Sequence, residues 1–590
     1  MDSLLVFKTI QAPSYPFVRI RHPKYISHLN FPSPSDNSKQ MRNPTLRKLM
    51  RLKKLTHLSF QRSSSDPITL KKPCRQLITN NCRTIKAIIG TRITIDRSFQ
   101  HLKDIKVIKE VCFSSKKLPF SLFLLKKVQE LSLVDKKNPN ILYSIRKSRK
   151  LKSFFKRMMS TLTNLRKILF EGNYENLEAL KEALTLSKTS VKQVLLSLPG
   201  STSPVQFSVT QIEELITMLS VNIITSKIFS SYLTMIPTFK YLQSLSLTIV
   251  NDSLEKYDVG LLSAISELSY LQIFHLLTFA PLEEFITFLK FPSQLTTLML
   301  RITQNSVFHE NQDPNLSKDN SYKVLVNEII KLQDLKSIRL ETNSINSEAQ
   351  REFQEALIEF IENVPPKIEK IAIIDWYDAP GENMEEEDKI NLSYSLLLKN
   401  LSKTQLLEQL CFYLDVDVST LYEENNWCLK NLKSLILRIN SEEYAINEIL
   451  FTLNPILLEQ LNISKRHLDS SLIHEEEFGG FLEQIKEFKV LKSLKLTGFQ
   501  FEKFNDYIVG EMTKSFAVLD DLEEIIMTFK VHSKIESRQS FERLIKVFLA
   551  KKKLFYCVFS VEFIGEEGEE EEKIYFKFEG GDYSYILLDT

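Results

Sequence analysis

The stretch LKSLIL, Leu432 to Leu437, returns as LKSLKL from Leu491 to Leu496. Three further copies of the same spacing, with apolar residues at offsets 0, +3 and +5, begin at Leu242 (LQSLSL), Leu295 (LTTLML) and Leu335 (LKSIRL). Looser copies begin at Leu55, Val128, Leu165, Val191, Leu271, Ile368, Leu407, Leu458, Leu522 and Leu554, and the faintest at Ile85 and Ile108. From Leu242 onward successive starts lie 29, 24, 40, 33, 39, 25, 26, 33, 31 and 32 residues apart. A parallel strand needs a crossover of about a dozen residues or more before its neighbour can pair. These intervals fit one strand and one return segment per repeat, and self-similarity at a fixed short period is the mark of a stacked array.

Three copies carry Asn three residues beyond the last apolar position: Leu165 with Asn173, Leu335 with Asn343, and Leu432 with Asn440. The pattern L-x-x-L-x-L-x-x-N resembles the leucine-rich-repeat superfamily, in its irregular, ribonuclease-inhibitor-like class, over roughly residues 46–559. The resemblance implies an α/β solenoid with a curved parallel inner sheet and outer helices. It also implies that the three Asn side chains bond backbone groups where strands turn away.

The return segments read as helices where they are long enough. In 347–364, Ser347 and Gln350 form a capping box, and Phe353, Ala356, Leu357, Phe360, Ile361 and Val364 share one face. Pro365 and Pro366 then stop the helix. Segments 176–186, 210–219, 322–332 and 540–549 show similar spacing.

The 590 residues exceed one ordinary core, so the chain is expected to be an extended array. Its parts are a basic, Pro-rich, disordered extension at 1–45, basic repeats at 46–170, the main array at 171–553, and a β cap with an acidic loop at 554–590. The net charge of +4 conceals an imbalance. Residues 1–167 hold 37 Lys and Arg against 8 Asp and Glu, and 168–590 hold 40 against 65. Such a division concerns partners and not fold.

No apolar run reaches the roughly 18–20 residues of a membrane span, and residues following Met1 lack a signal-peptide pattern. Six scattered cysteines with no C-x-x-C spacing suit reduced thiols. A cytoplasmic location is therefore expected, with the nucleus as alternative. A mitochondrial address fits the scarcity of acids in 1–60, but six prolines there oppose an amphipathic presequence.

Phosphate-loop, nucleophile-elbow, dinucleotide and zinc-helix motifs are all missing, so neither catalysis nor a cofactor or metal is expected. His467 and His474 have no third ligand at a useful spacing, and the acidic runs 385–388 and 566–572 lack the alternation of a calcium loop. The strands carry more information. In L-x-x-L-x-L the leucines point inward, and the residue between the last two points outward. This outward column includes His275, Met299, Arg339, Cys411 and Ile436, with Ile273, Leu277, Ile374 and Tyr413 beside it. Lys and Glu are few there. Curvature would shield part of such a face, and extended apolar surface also marks interaction sites. These nine residues are the candidate protein-binding set on the concave face.

A second candidate lies in 144–169. Arg146, Lys147, Arg149, Lys150, Lys152, Lys156 and Arg157 surround Leu151, Phe154, Phe155, Met158 and Met159 at helical spacing. A basic amphipathic helix of this kind suits RNA, an acidic protein tail or anionic lipid, or simply forms an outer helix with a solvated face. The leading functional reading is a non-enzymatic scaffold or adaptor that binds protein through its inner strand face. One alternative is a nucleic-acid- or anionic-surface-associated protein acting through the basic third. Another is a ubiquitin-ligase substrate receptor, although no F-box precedes the repeats.

Overall fold

The computed structural model describes residues 9–11, 28–31, 55–60, 68–69, 72–90, 93–94, 99, 101–102, 104–113, 119–135, 145–171, 179–180, 182–184, 191–198, 216–223, 236, 239–249, 265–278, 286, 289–303, 321–343, 347–375, 392–417, 429–439, 446–465, 472–532, 538–551, 553–554, 556–563, 573–579 and 582–588. They fall into two compact units, 1–271 and 272–590.

The first unit contains strands β1 (Thr9–Gln11), β2 (His28–Phe31), β3 (His57–Phe60), β4 (Ile68–Thr69), β5 (Ala87–Gly90), β6 (Ile93–Thr94), β7 (Val107–Phe113), β8 (Glu130–Asp135), β9 (Lys167–Glu171), β10 (Gln193–Leu198), β11 (Ile216–Ile223) and β12 (Ser244–Ile249). β1, β2, β3, β5, β7, β8, β9, β10, β11 and β12 pair in that order, all parallel. Helices α1 (Lys72–Asn80) and α2 (Ile145–Thr161) are return segments. Phe154 and Phe155 of α2 connect Phe123 to Phe170 of β9 through ring contacts of 5.4, 5.5 and 6.3 Å.

Three details of this unit depart from the expected reading, the first being that β1 and β2 pair within 1–45, the stretch expected to be a disordered extension. The segment 210–219 was expected to be helical, yet residues 216–219 begin strand β11, where Ile216, Leu219 and Val221 supply offsets 0, +3 and +5. Leu219 and Val221 stand opposite Leu245 and Leu247 of β12, so a whole repeat fills the gap between Val191 and Leu242. The repeat expected to start at Ile108 starts at Ile105 instead. Ile108 pairs with Leu131, and a bulge then sets Val111, in place of Glu110, opposite Leu133. A bulge inserts one residue into a strand; here it keeps an apolar side chain in the core stack.

The second unit contains β13 (Ile273–Thr278), β14 (Thr297–Thr303), β15 (Ser337–Asn343), β16 (Lys370–Asp375), β17 (Leu392–Ser393), β18 (Gln409–Asp417), β19 (Ser434–Ile439), β20 (Gln460–Lys465), β21 (Ser493–Phe501), β22 (Glu524–Val531), β23 (Tyr556–Phe563), β24 (Lys573–Glu579) and β25 (Asp582–Leu588). Every neighbouring pair from β13 to β23 is parallel, with β16 joined directly to β18. β24 and β25 then run antiparallel and finish the sheet. The return helices are α3 (Ser321–Ile330), α4 (Ser347–Glu362), α5 (Tyr394–Leu401), α6 (Ile446–Phe451), α7 (Glu475–Ile485), α8 (Asp506–Val518) and α9 (Arg538–Ala550). α4 buries the expected face, Phe353, Ala356, Leu357, Phe360 and Ile361. The capping-box side chains and those of the three repeat Asn residues lie outside what is described. α8 has a resolved cap: the Asn505 side chain accepts from the Tyr507 and Ile508 N–H groups.

Leucines at offsets 0, +3 and +5 form the core. Leu432, Leu435 and Leu437 are fully buried, as are Leu491 and Leu494. Towards the end of the unit phenylalanines thicken this stack, with Phe501, Phe529 and Phe559 in successive ring contacts of 5.3 and 6.1 Å. Edge-to-face and offset aromatic pairs add to the area they bury.

Among the described residues of the second unit, one position takes only glycine. Gly498 has φ +81°, and a Cβ there would collide with the Lys465 carbonyl oxygen. It sits at the register shift between Thr497 and Phe499 in β21, so its left-handed backbone makes the bulge. Gly498→Ala should cost about 1–3 kcal/mol in urea unfolding. An unchanged midpoint would show that the bulge is not strained.

Candidate functional site

The parallel register places side chains of successive strands in straight columns. At offset +4 the second unit reads His275, Met299, Arg339, Ala372, Cys411, Ile436, Asn462, Lys495, Ile526 and Val558, each opposite the next. Strand alternation makes this column face away from the buried leucines. His275, Met299, Cys411 and Ile436 are half-buried and Arg339 is exposed. Ile273 at offset +2 and Leu277 at offset +6 flank the column and are half-buried too.

Ile374 was expected on the accessible face and is only 7% exposed. It lies between Glu341 and the β18 strand carrying Tyr413 in the ladder, and that close lateral packing hides it. Tyr413 is half-buried, stacks under the Arg438 guanidinium at 5.0 Å, and begins a bulge, since Phe412 pairs with Leu437 but Asp415 pairs with Arg438.

A charged cluster that the sequence reading missed crosses this face. The Glu341 carboxylate, 2% exposed as a residue, is bridged by Arg339 on its own strand and by Arg301 on β14 at 3.4 Å. Arg301 and Glu341 stand opposite each other at offset +6, so extending the outward parity by two residues would have found them. A buried carboxylate is stable only when paired, and two guanidiniums meet that need. The apolar column is thus interrupted on β14 and β15 by an oriented Arg–Glu–Arg group. Further along, Lys495 bridges Glu524 at 3.0 Å.

Two titratable groups on the face feel its partial burial. Burial lowers the His275 imidazole from its ordinary range, which favours the neutral form. Burial pushes the Cys411 thiol up to about 11, a rise that Arg339 opposes and Glu341 assists. A thiol reacts through its thiolate. At pH 8, alkylation of Cys411 followed by mass spectrometry should therefore run about two orders of magnitude slower than that of free cysteine. A free-cysteine rate would place the thiol in open solvent, against this geometry.

The second candidate set falls on α2. Arg149, Lys150, Lys152, Lys156 and Arg157 are exposed, while Leu151, Phe154, Phe155, Met158 and Met159 are buried. Lys152 bridges Glu182 at 2.5 Å and Arg157 lies 5.0 Å over the Phe123 ring. The side chains of Arg146 and Lys147 are outside the described residues. α2 is thus a return helix whose apolar face is consumed by the core.

Among the described residues no group of three or more His, Cys, Asp and Glu could hold a metal ion. His474 precedes α7, whose first turn carries Glu475, Glu476 and Glu477, a placement that suits the positive end of the helix dipole. His467 and both acidic runs lie outside the described residues. No described helix is long and apolar enough to cross a membrane.

No family model and no curated protein matches this sequence. Among solved structures it is similar to a leucine-rich-repeat protein of Leptospira interrogans, at 14% identity and TM-score 0.29, covering 85% of this chain and 95% of that one. It is also similar to the protein of a TLR13–ssRNA13 complex, at 13% identity and TM-score 0.36, covering 93% of this chain and 82% of that one. These superpositions are loose, and the repeat geometry stands on its own evidence. Among the described residues each unit stacks parallel strands with buried apolar residues at offsets 0, +3 and +5, and so has the leucine-rich-repeat fold.

Proposed function

We propose that the chain is a non-enzymatic interaction scaffold and that the outward face of the second unit's sheet grips a protein partner. The observation that carries this reading is the column His275, Met299, Cys411 and Ile436, half-buried and aligned over strands paired in register. Side chains held on a sheet lose little freedom on binding, which lowers the cost of association. Met adapts its shape to a partner, and the Arg301–Glu341–Arg339 group beside it gives the apolar stripe an orienting polar contact.

Met299→Glu with Ile436→Glu should leave the melting temperature within a few degrees, because neither side chain enters the leucine stack. The same pair should abolish recovery of the partner that co-purifies with the wild-type chain after nuclease treatment, since an unpaired charge buried at an interface costs several kcal/mol. Leu435→Asp is the contrast: Leu435 is fully buried, and the change should unfold its repeat. Melting as severe as that of Leu435→Asp in the face variant would overturn the register. Intact partner recovery would move binding off this face.

A further inference from the structure

The residues at offset +1, where each strand begins, form a ladder of their own. In the second unit it runs Gln272, Thr296, Lys336, Glu369, Glu408, Lys433, Glu459, Lys492, Glu523, each N–H after the first donating to the carbonyl of the one before at 2.7–2.9 Å. Its charges compensate one another: Lys336 bridges Glu369 at 3.0 Å, Lys433 bridges Glu408 at 2.7 Å and Lys492 bridges Glu459 at 2.7 Å. The first unit builds the same ladder from Thr56, Lys86, Lys106, Gln129, Arg166 and Lys192, with N–H to carbonyl distances of 2.7–2.8 Å. Here four of these six side chains are cationic and none is acidic. Lys86, Lys106, Arg166 and Lys192 are exposed, and none meets a carboxylate among the described residues.

Like charges on adjacent rungs repel and weaken a sheet. In the second unit each of the three Lys rungs meets a Glu on a neighbouring rung. At a rung spacing of roughly 4.8 Å, the four cations span about 19 Å in a line. Beyond the register shift between β10 and β11, the neutral Gln243 donates its N–H to the Thr217 carbonyl at 2.9 Å. Just ahead of the first leucines of their repeats, Tyr241 and Tyr270 stand 43% and 51% exposed, with ring centroids 5.3 Å apart and the exposed Lys240 alongside.

We infer that this edge of the first unit binds single-stranded nucleic acid, with the Lys86–Lys192 ladder contacting phosphates and the Tyr241–Tyr270 pair stacking bases. A line of cations fits a linear polyanion better than a membrane, which presents a plane. Exposed aromatic rings continuing the line distinguish bases, whose faces stack on any ring, from the carboxylates of an acidic protein tail.

The test uses the full chain and a fluorescein-labelled oligouridylate, with anisotropy read across a salt series. The triple change Lys106→Gln, Arg166→Gln and Lys192→Gln should weaken binding by about tenfold or more. It should also lower the log–log salt slope by about 2, at about 0.7 per cation removed. Removing the same charge from α2 with Arg149→Gln, Lys150→Gln and Lys156→Gln should leave affinity within about twofold. Tyr241→Ala with Tyr270→Ala should cost about tenfold while keeping the salt slope, the signature of stacking lost without phosphate contacts. The ladder variant should melt no lower than wild type, because relieved repulsion does not destabilise. Equal losses from the two basic triples would overturn the proposal in favour of net charge. Absence of oligouridylate binding would overturn it outright. Ladder-dependent binding of polyglutamate or anionic vesicles as tight as that of the oligonucleotide would assign the edge to an acidic protein or a lipid surface.

Discussion

The hydrogen-bonded ladder between parallel strands is the constraint on which the rest depends. A buried backbone must satisfy its N–H and carbonyl groups, and here each strand does so through its neighbours in the stack. Once Leu435 stands opposite Leu461, and Leu461 opposite Leu494, every other residue of those strands has a fixed neighbour. Slipping by one residue would turn the leucines outward and the polar residues in. Among the described residues the ladder departs from strict register where extra residues are absorbed, one at Glu110, at Thr217 and at Gly498 and two at Tyr413 and Leu414.

Much of this was legible because the leucine spacing is strict where the core is tightest. LKSLIL and LKSLKL locate β19 and β20's far neighbour β21 without further help, and outward parity alone finds His275, Met299, Cys411 and Ile436. The failures have physical causes. In 210–219, Ile212, Leu215, Ile216 and Leu219 satisfy helical spacing, while Ile216, Leu219 and Val221 satisfy the strand pattern, and tertiary pairing with β10 and β12 decided between them. At β7, a bulge displaced the pattern by a residue. Ile374 was misplaced because its cover comes from strands 33 and 39 residues away in sequence, through pairs Glu341–Ile374 and Ile374–Tyr413. The Arg301–Glu341–Arg339 group stayed hidden for the same reason: its members belong to different repeats and meet only across the ladder.

The two units show one backbone plan serving different surfaces. Their cores share leucine stacks reinforced by phenylalanine, Phe154 and Phe155 in one and Phe501, Phe529 and Phe559 in the other. Their exposed columns do not agree in charge, and the core does not require them to. Positions at offsets +1, +2 and +4 contribute little to the buried stack, so their chemistry is free to answer to whatever meets them.

Column geometry also makes a single repeat a removable part. Excising 432–457 would bring β18 beside β20, with Leu410 opposite Leu461 and Phe412 opposite Ile463, apolar against apolar as before. The hydrophobic interior would close over the gap with its composition almost unchanged. Outside, Cys411 would acquire Asn462 as a neighbour in place of Ile436, and the apolar stripe would end one rung earlier. Gain or loss of a repeat therefore rewrites the surface in whole letters while the interior text stays the same, and a chain built this way changes its partners faster than its fold.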